Sequence, residues 1–219
     1  MTLINFDAII FDMDGLLVDS ERIWHQAEDE FIQSFGHVYT PEARDAIVGL
    51  RIDEFTAVLK DLYQLEPPLE ELVATLEGNV LELIKTDVKP HPGAQELIDF
   101  VVAHNIPHAI ASSSSKRVID TTLEAQGWAD LFEIRCSAND DARGKPAPDV
   151  YIRAVKTLGM EASRCLALED SPNGSRAAVA AGLTCYAVPD PSHSTRDAFD
   201  GITPHVFNNL FEVLEQLKA

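Results

Sequence analysis

Ala8-Ile9-Ile10-Phe11-Asp12-Met13-Asp14-Gly15-Leu16-Leu17-Val18-Asp19-Ser20 is the stretch on which the reading of this 219-residue chain turns. Its first four residues form a wholly apolar run closed by an aspartate, the signature of a strand covered on both faces by helices. Similar runs recur at Pro107 to Ala111, Arg164 to Leu168 and Thr184 to Val188, each followed by a polar or glycine-containing turn. A helical pattern follows the first three. Alternation of this kind predicts an α/β fold, a doubly wound, mostly parallel sheet.

Between Ser20 and Thr86 the strand-like runs stop, and Ile23, Ala27, Phe31 and Phe35 fall at helical spacing. We expect an inserted all-helical cap over 20–86, divided by breaks at Gly36, Gly49 and Pro67-Pro68 into about four helices. The core is expected to comprise 1–19 and 87–219, re-entered through Asp87-Val88-Lys89-Pro90-His91-Pro92-Gly93. The insertion carries 14 acidic residues against 5 basic ones, a charge usually carried on a solvated face.

The apolar share of 46% suits a chain with a buried core, whereas a formal charge of −19 repels phosphate backbones and acidic lipid headgroups. No Lys/Arg cluster offsets that charge, so nucleic-acid and membrane roles are not expected. The segment from Met1 to Phe11 has no basic n-region, and no apolar run nears the roughly 18 residues of a membrane span. Cys136, Cys165 and Cys185 are odd in number and form no CxxC pair, as expected of buried thiols in a reducing cytoplasm. The sequence is compatible with a monomer and does not set the oligomeric state.

In a parallel sheet the loops at the carboxyl ends of the strands converge on one crevice. Asp12 and Asp14 leave the first strand there. A bare DxD is ordinarily a surface turn, but two acids at the end of a buried strand repel unless something positive lies between them. A divalent cation would satisfy them, and Gly15 lets the chain turn sharply away. Ser112 ends the second run, where a hydroxyl and helix-start amides can hold a phosphate oxygen; N-capping by one of the four serines from Ser112 to Ser115 is an equally good local reading. Lys145 precedes Pro146, which favours an extended backbone ahead of a helix beginning near Pro148. Glu169 and Asp170 end the third run, and Ser171-Pro172 reads as N-cap and first turn of the next helix.

Taken together, DxDGxLxDS, Ala111-Ser112-Ser113, Lys145-Pro146-Ala147-Pro148-Asp149 and Leu168-Glu169-Asp170-Ser171-Pro172-Asn173-Gly174 resemble, in order, the four motifs of the haloacid dehalogenase superfamily. The branch with a small helical cap after the first motif is the one resembled. The resemblance implies a Mg²⁺-dependent phosphomonoester hydrolase. In it Asp12 would be the nucleophile, Asp14 the acid and base, and Ser112 and Lys145 the holders of the phosphoryl group. Asp12, the Asp14 carbonyl, Glu169 and Asp170 would hold Mg²⁺. The substrate implied is a small phosphorylated molecule, a sugar or polyol phosphate.

Candidates for binding it are Ser113 in the core and Ser20, Glu21, Trp24, His25 and the Gly49-Leu50-Arg51 turn in the cap. Asp-Ser-Glu-x-x-Trp with Gly-Leu-Arg-Ile-Asp is similar to sugar-phosphate phosphatases of the 2-deoxyglucose-6-phosphate type, and near β-phosphoglucomutase. A mutase needs a second, cap-borne cationic site, and Ala74-Thr75-Leu76-Glu77-Gly78-Asn79 has no basic residue. A phospho-accepting receiver domain shares an acidic cluster, a Ser/Thr and a Lys, but has no such insertion and no need for Asp14.

Overall fold

A computed structural model describes residues 5–47, 50–191 and 194–219. The start of the Met1 segment and the expected break at Gly49 lie outside the described residues. Five parallel strands, β1 (Ala8–Phe11), β2 (His108–Ser112), β3 (Arg135–Ser137), β4 (Cys165–Glu169) and β5 (Thr184–Ala187), form one sheet in the order β3-β2-β1-β4-β5. The first strand is therefore central. Phe11 registers with Ile110 on one side and Leu168 on the other, which brings the chain at Asp12, Ala111 and Glu169 out at one edge.

Pleating explains the two layers. Ile9 and Phe11 join one apolar cluster with Ile110, Leu166 and Leu168, while Ala8 and Ile10 join another with Ala109, Ala111 and Ala167. Helices α5 (Ala94–Ala103), α6 (Lys116–Ala125) and α9 (Leu210–Lys218) bury Leu97, Ile119 and Val213 in the first. Helices α7 (Asp149–Leu158) and α8 (Pro172–Ala180) bury Val150, Ala154 and Ala177 in the second. The small side chains of that second face let α7 and α8 approach the strands closely.

Strand β3 has no counterpart in the expected set. It is only three residues long, at the sheet edge, and begins with Arg135, whose guanidinium reaches Asp120 at 2.7 Å. An edge position tolerates such a residue, so the apolar signal is lost.

The insertion is helical: α1 (Glu21–Ser34), α2 (Pro41–Asp45), α3 (Ile52–Tyr63) and α4 (Leu69–Asp87). Ile23, Ala27 and Phe31 are fully buried, as their spacing requires. Helix α1 stops before Gly36, which takes φ +80°, and α4 begins directly after Pro68. The first apolar cluster continues from the sheet into this cap, and α4 packs against both α1 and α6.

Candidate active site

Lys145 closes the carboxyl edge of three neighbouring strands. Its Nζ donates to Asp12 Oδ1 (2.6 Å) just beyond β1, to the Ala111 carbonyl (3.0 Å) on β2 and to Glu169 Oε1 (2.6 Å) on β4. The lysine side chain is 5% exposed and lies 5.1 Å from the centre of the Tyr151 ring. The Lys145–Pro146 bond is cis. Tyr151 Oη donates to Glu169 Oε1 at 2.6 Å, and the Ser171 hydroxyl donates to Glu169 Oε2 at 3.2 Å. Glu169 is thus fully buried and held from both sides.

Asp14 faces β2. Ser112 Oγ and Ser114 Oγ donate to its Oδ2 at 2.9 and 2.8 Å, while Oδ1 is buried with no hydrogen-bond partner among the described residues. Gly15, at φ +77°, makes the turn directly after Asp14. A Cβ at residue 15 would lie 2.3 Å from Asp170 Oδ2, so the turn and the acidic cluster are fitted to each other.

Charge within the site is unbalanced. Ligand atoms of Asp12, Glu169 and Asp170 lie within 4.8 Å of one another, all buried. Burial holds the Asp12 carboxyl well above the usual range; the Lys145 ammonium opposes this, while Glu169, Asp170 and Asp14 add to it. For Lys145, burial acts downward, but the Asp12 and Glu169 charges prevail and keep the ammonium protonated beyond the ordinary lysine range. One buried cation among four carboxylates leaves room for more positive charge, and the donor set is all oxygen. These residues fit a hard divalent cation.

A cavity of about 310 Å³ opens over this edge and runs into the cap. Asp12, Asp14, Lys145 and Asp170 line its floor, and Ser113, Ser114 and Ser115 one wall. Glu21, Trp24, His25, Glu28, Arg44 and Leu50 line the cap side. Trp24 also packs edge-on against Phe55 with ring centres 5.9 Å apart, so packing and cavity lining coincide in one side chain.

Two expected contacts point elsewhere. Ser20 is fully buried, its hydroxyl lacks a partner among the described residues, and it is not on the cavity wall. Arg51 likewise leaves the wall: its Nη1 donates to the Asp141 carbonyl (3.4 Å), Nη2 pairs with Asp53 (3.0 Å), and its stem lies against Gly144. Acidic and carbonyl partners near the chain draw the guanidinium to the junction of cap and core. Ser112 is buried too, its hydroxyl engaged with Asp14 and with the Ser114 amide, whereas Ser113 reaches the cavity. Ser115 is the N-cap of α6, and Ser171 and Pro172 cap and begin α8.

Sequence reasoning missed Tyr151, Ser114, Glu28, Arg44 and Asp190. Asp190 is buried with its carboxylate close to Gly15, and the Ser194 hydroxyl lies between its carbonyl and that of Asp170. A signal was there: an acid two residues beyond the apolar run Thr184 to Val188, after Pro189, much as acids follow the runs ending at Phe11 and Leu168. Tyr151 offers no signal of its own, since a tyrosine on an apolar helix face reads as packing.

Residues 9–188 match the haloacid dehalogenase-like hydrolase family. The chain is 32% identical over 200 residues to a probable pseudouridine-5'-phosphatase of Drosophila melanogaster, covering 85% of this chain and 86% of that protein. It is 32% identical over 190 residues to hexitol phosphatase B of Escherichia coli, covering 84% of each. Among solved structures, a CbbY variant from Rhodobacter sphaeroides in complex with xylulose-(1,5)bisphosphate superposes with a TM-score of 0.85 at 25% identity, covering 98% of this chain and 100% of that one.

Proposed function

The chain belongs to the haloacid dehalogenase-like hydrolase family, and we propose that this phosphatase hydrolyses a small sugar or polyol phosphate through an aspartyl-phosphate on Asp12, with Mg²⁺ as cofactor. The observation that carries the reading is the bridge from Lys145 to Asp12 and Glu169 beside an Asp14 held by two serine hydroxyls, at the floor of one cavity. In this reading 1–19 and 87–219 are the catalytic core and 20–86 the cap. The three buried free thiols suit a reducing cytoplasm.

An Asp12 carboxylate oxygen attacks phosphorus as the bond from phosphorus to the ester oxygen breaks. The leaving oxygen takes its proton from Asp14, releasing the sugar or polyol as an alcohol. A water then attacks the aspartyl-phosphate, giving its proton to Asp14, and the Asp12 carboxylate returns as phosphate departs. Ser112 and Ser114 aim the Asp14 carboxyl, and Lys145 stabilises negative charge on the transferring group at every step. Asp12, Asp170 and the Asp14 carbonyl would hold Mg²⁺, with Glu169 in support directly or through water. When bound, the cation offsets charge on the phosphoryl oxygens.

Hydrolysis is favoured over a mutase by the partners of the cap segment around Glu77. Its carboxylate accepts from Ser115 Oγ and pairs with Arg117 Nη1 at 2.7 Å, tying cap to core rather than offering a cationic seat for a second phosphate. Arg51, against Gly144 and Asp141, is a second such tie.

The test is Asp12→Asn, which keeps volume and loses the nucleophile. Phosphate release should fall by at least about a thousandfold with the melting temperature retained. Activity within tenfold of wild type would remove Asp12 from this role.

A further inference from the structure

Glu28 is a buried acid that the proposed chemistry does not use. It sits beside Ala27 on the inner half of α1, about 12 Å along the helix from Ser20 by the rise of 1.5 Å per residue. At 7% exposure it lines the catalytic cavity from the cap side. A carboxylate taken out of water needs partners. Among the described residues Glu28 has one hydrogen-bond donor, Tyr39 Oη, 2.7 Å from Oε2. The nearby cation, Arg44, pairs with Glu21 at 3.7 Å.

The remaining surroundings offer little compensation. On α1, Glu21 adds negative charge and Trp24 and His25 flank the cavity; on α3, Ile52 and Phe55 present apolar surface. Burial raises the Glu28 carboxyl to about 7; the Tyr39 hydrogen bond and Arg44 act against the rise and Glu21 with it. An acid held this way is costly to the fold and lies where the part of the substrate remote from phosphorus must go. The cavity, about 310 Å³, is at the small end of ligand sites, which run from roughly 300 to 1,000 Å³.

We propose that Glu28 is a specificity-determining residue for the leaving group. Its carboxylate accepts a hydrogen bond from a hydroxyl at the end of the substrate remote from phosphorus. Together with Glu21 it turns away substrates carrying a second anionic group there. The inference rests on the hydrolase reading and narrows it to monophosphates of neutral polyhydroxy compounds. A hydroxyl supplies a second donor to a carboxylate that otherwise has Tyr39, whereas a second phosphate would meet two acids and one arginine already paired with Glu21. Sites built to hydrogen-bond a hydroxyl discriminate strongly, because the analogue without it leaves a buried polar group unpaired.

The experiment measures kcat/KM on sorbitol 6-phosphate, fructose 1,6-bisphosphate and p-nitrophenyl phosphate, for the wild type, Glu28→Gln and Glu28→Leu. The wild type should prefer the monophosphate to the bisphosphate by at least about a hundredfold. Glu28→Gln, which keeps shape and removes charge, should narrow that gap at least tenfold. Glu28→Leu, which removes the acceptor, should lower the ratio of sorbitol phosphate to p-nitrophenyl phosphate at least tenfold. The wild type and Glu28→Gln decide the matter if the leucine variant does not fold. Equal use of the two sugar esters by the wild type, or ratios unmoved by the substitutions, would overturn the inference alone. No phosphate release from any ester, p-nitrophenyl phosphate included, would remove the hydrolase reading and this inference with it.

Discussion

Gly174 and Glu169 are fitted to each other so closely that a β-carbon on residue 174 would lie 2.0 Å from both carboxylate oxygens of Glu169. The carboxylate has nowhere to retreat, being held by Lys145, Tyr151 and Ser171. Gly174→Ala should therefore displace Glu169, destabilising the fold by about 1–3 kcal/mol and lowering kcat at least tenfold. Gly78 on α4 is the control, since a β-carbon there meets nothing within 4 Å. Gly78→Ala should stabilise by roughly 0.4–1 kcal/mol with kcat unaltered. Thermal melts and phosphate-release assays on the pair would check both, and equal behaviour would discount the fit.

Asp14→Asn should affect substrates according to their leaving groups. A sugar or polyol oxygen leaves as a poor, strongly basic group and needs the proton, whereas a nitrophenolate does not. We expect the loss in kcat to be at least tenfold greater on sorbitol 6-phosphate than on p-nitrophenyl phosphate. Equal losses on the two would argue against proton donation by Asp14.

Metal removal gives a third expectation. With EDTA, activity should disappear and return on addition of Mg²⁺, while Ca²⁺ should restore it poorly because its coordination is larger and looser. Full turnover in chelator would reassign Asp170 and Glu169 to a purely structural acidic cluster.

Glu28 predicts a pH dependence of stability. Its carboxyl is raised from 4.5 to about 7 in the fold, so the unfolded chain releases this proton first as pH rises. The group's contribution is fully present below pH 4.5 and is lost on the way up through about pH 7. A rise of that size corresponds to about 3 kcal/mol. Urea unfolding of the wild type and Glu28→Gln at pH 5 and pH 8 should show the variant gaining about that much relative to the wild type at the higher pH. Parallel pH profiles would mean that Glu28 titrates as if in water.

Much of the site was legible because four of its core residues end or follow a buried run. Asp12, Ser112, Glu169 and Asp170 all stand at or just beyond strand ends, where apolar pattern and a polar terminus coincide. Lys145 was legible from its proline-rich context. The cap residues were harder, because a helix presents several faces and sequence spacing does not say which one borders a cavity. Trp24 satisfies the cavity and the packing against Phe55 at once, so either reading of it alone was incomplete. Arg51 looked like a ligand for an anion, but Asp53 and the Asp141 carbonyl are its partners. Glu28 was hidden among acidic neighbours in a segment whose charge reads as solvated. Strand β3 was hidden by Arg135.

The central position of β1 bears on when the site can come into being. Asp12 is near the beginning of the chain, yet Lys145, its partner, lies 133 positions later, and Glu169 another 24 beyond that. A nascent or truncated chain ending before residue 145 holds the Asp12 carboxylate with no Lys145 ammonium to meet it. Parallel pairing across such separations closes slowly, after the local helices have formed. Recovery of catalysis on refolding is therefore a late event, trailing the return of helical signal and coinciding with completion of the sheet from β2 across to β4.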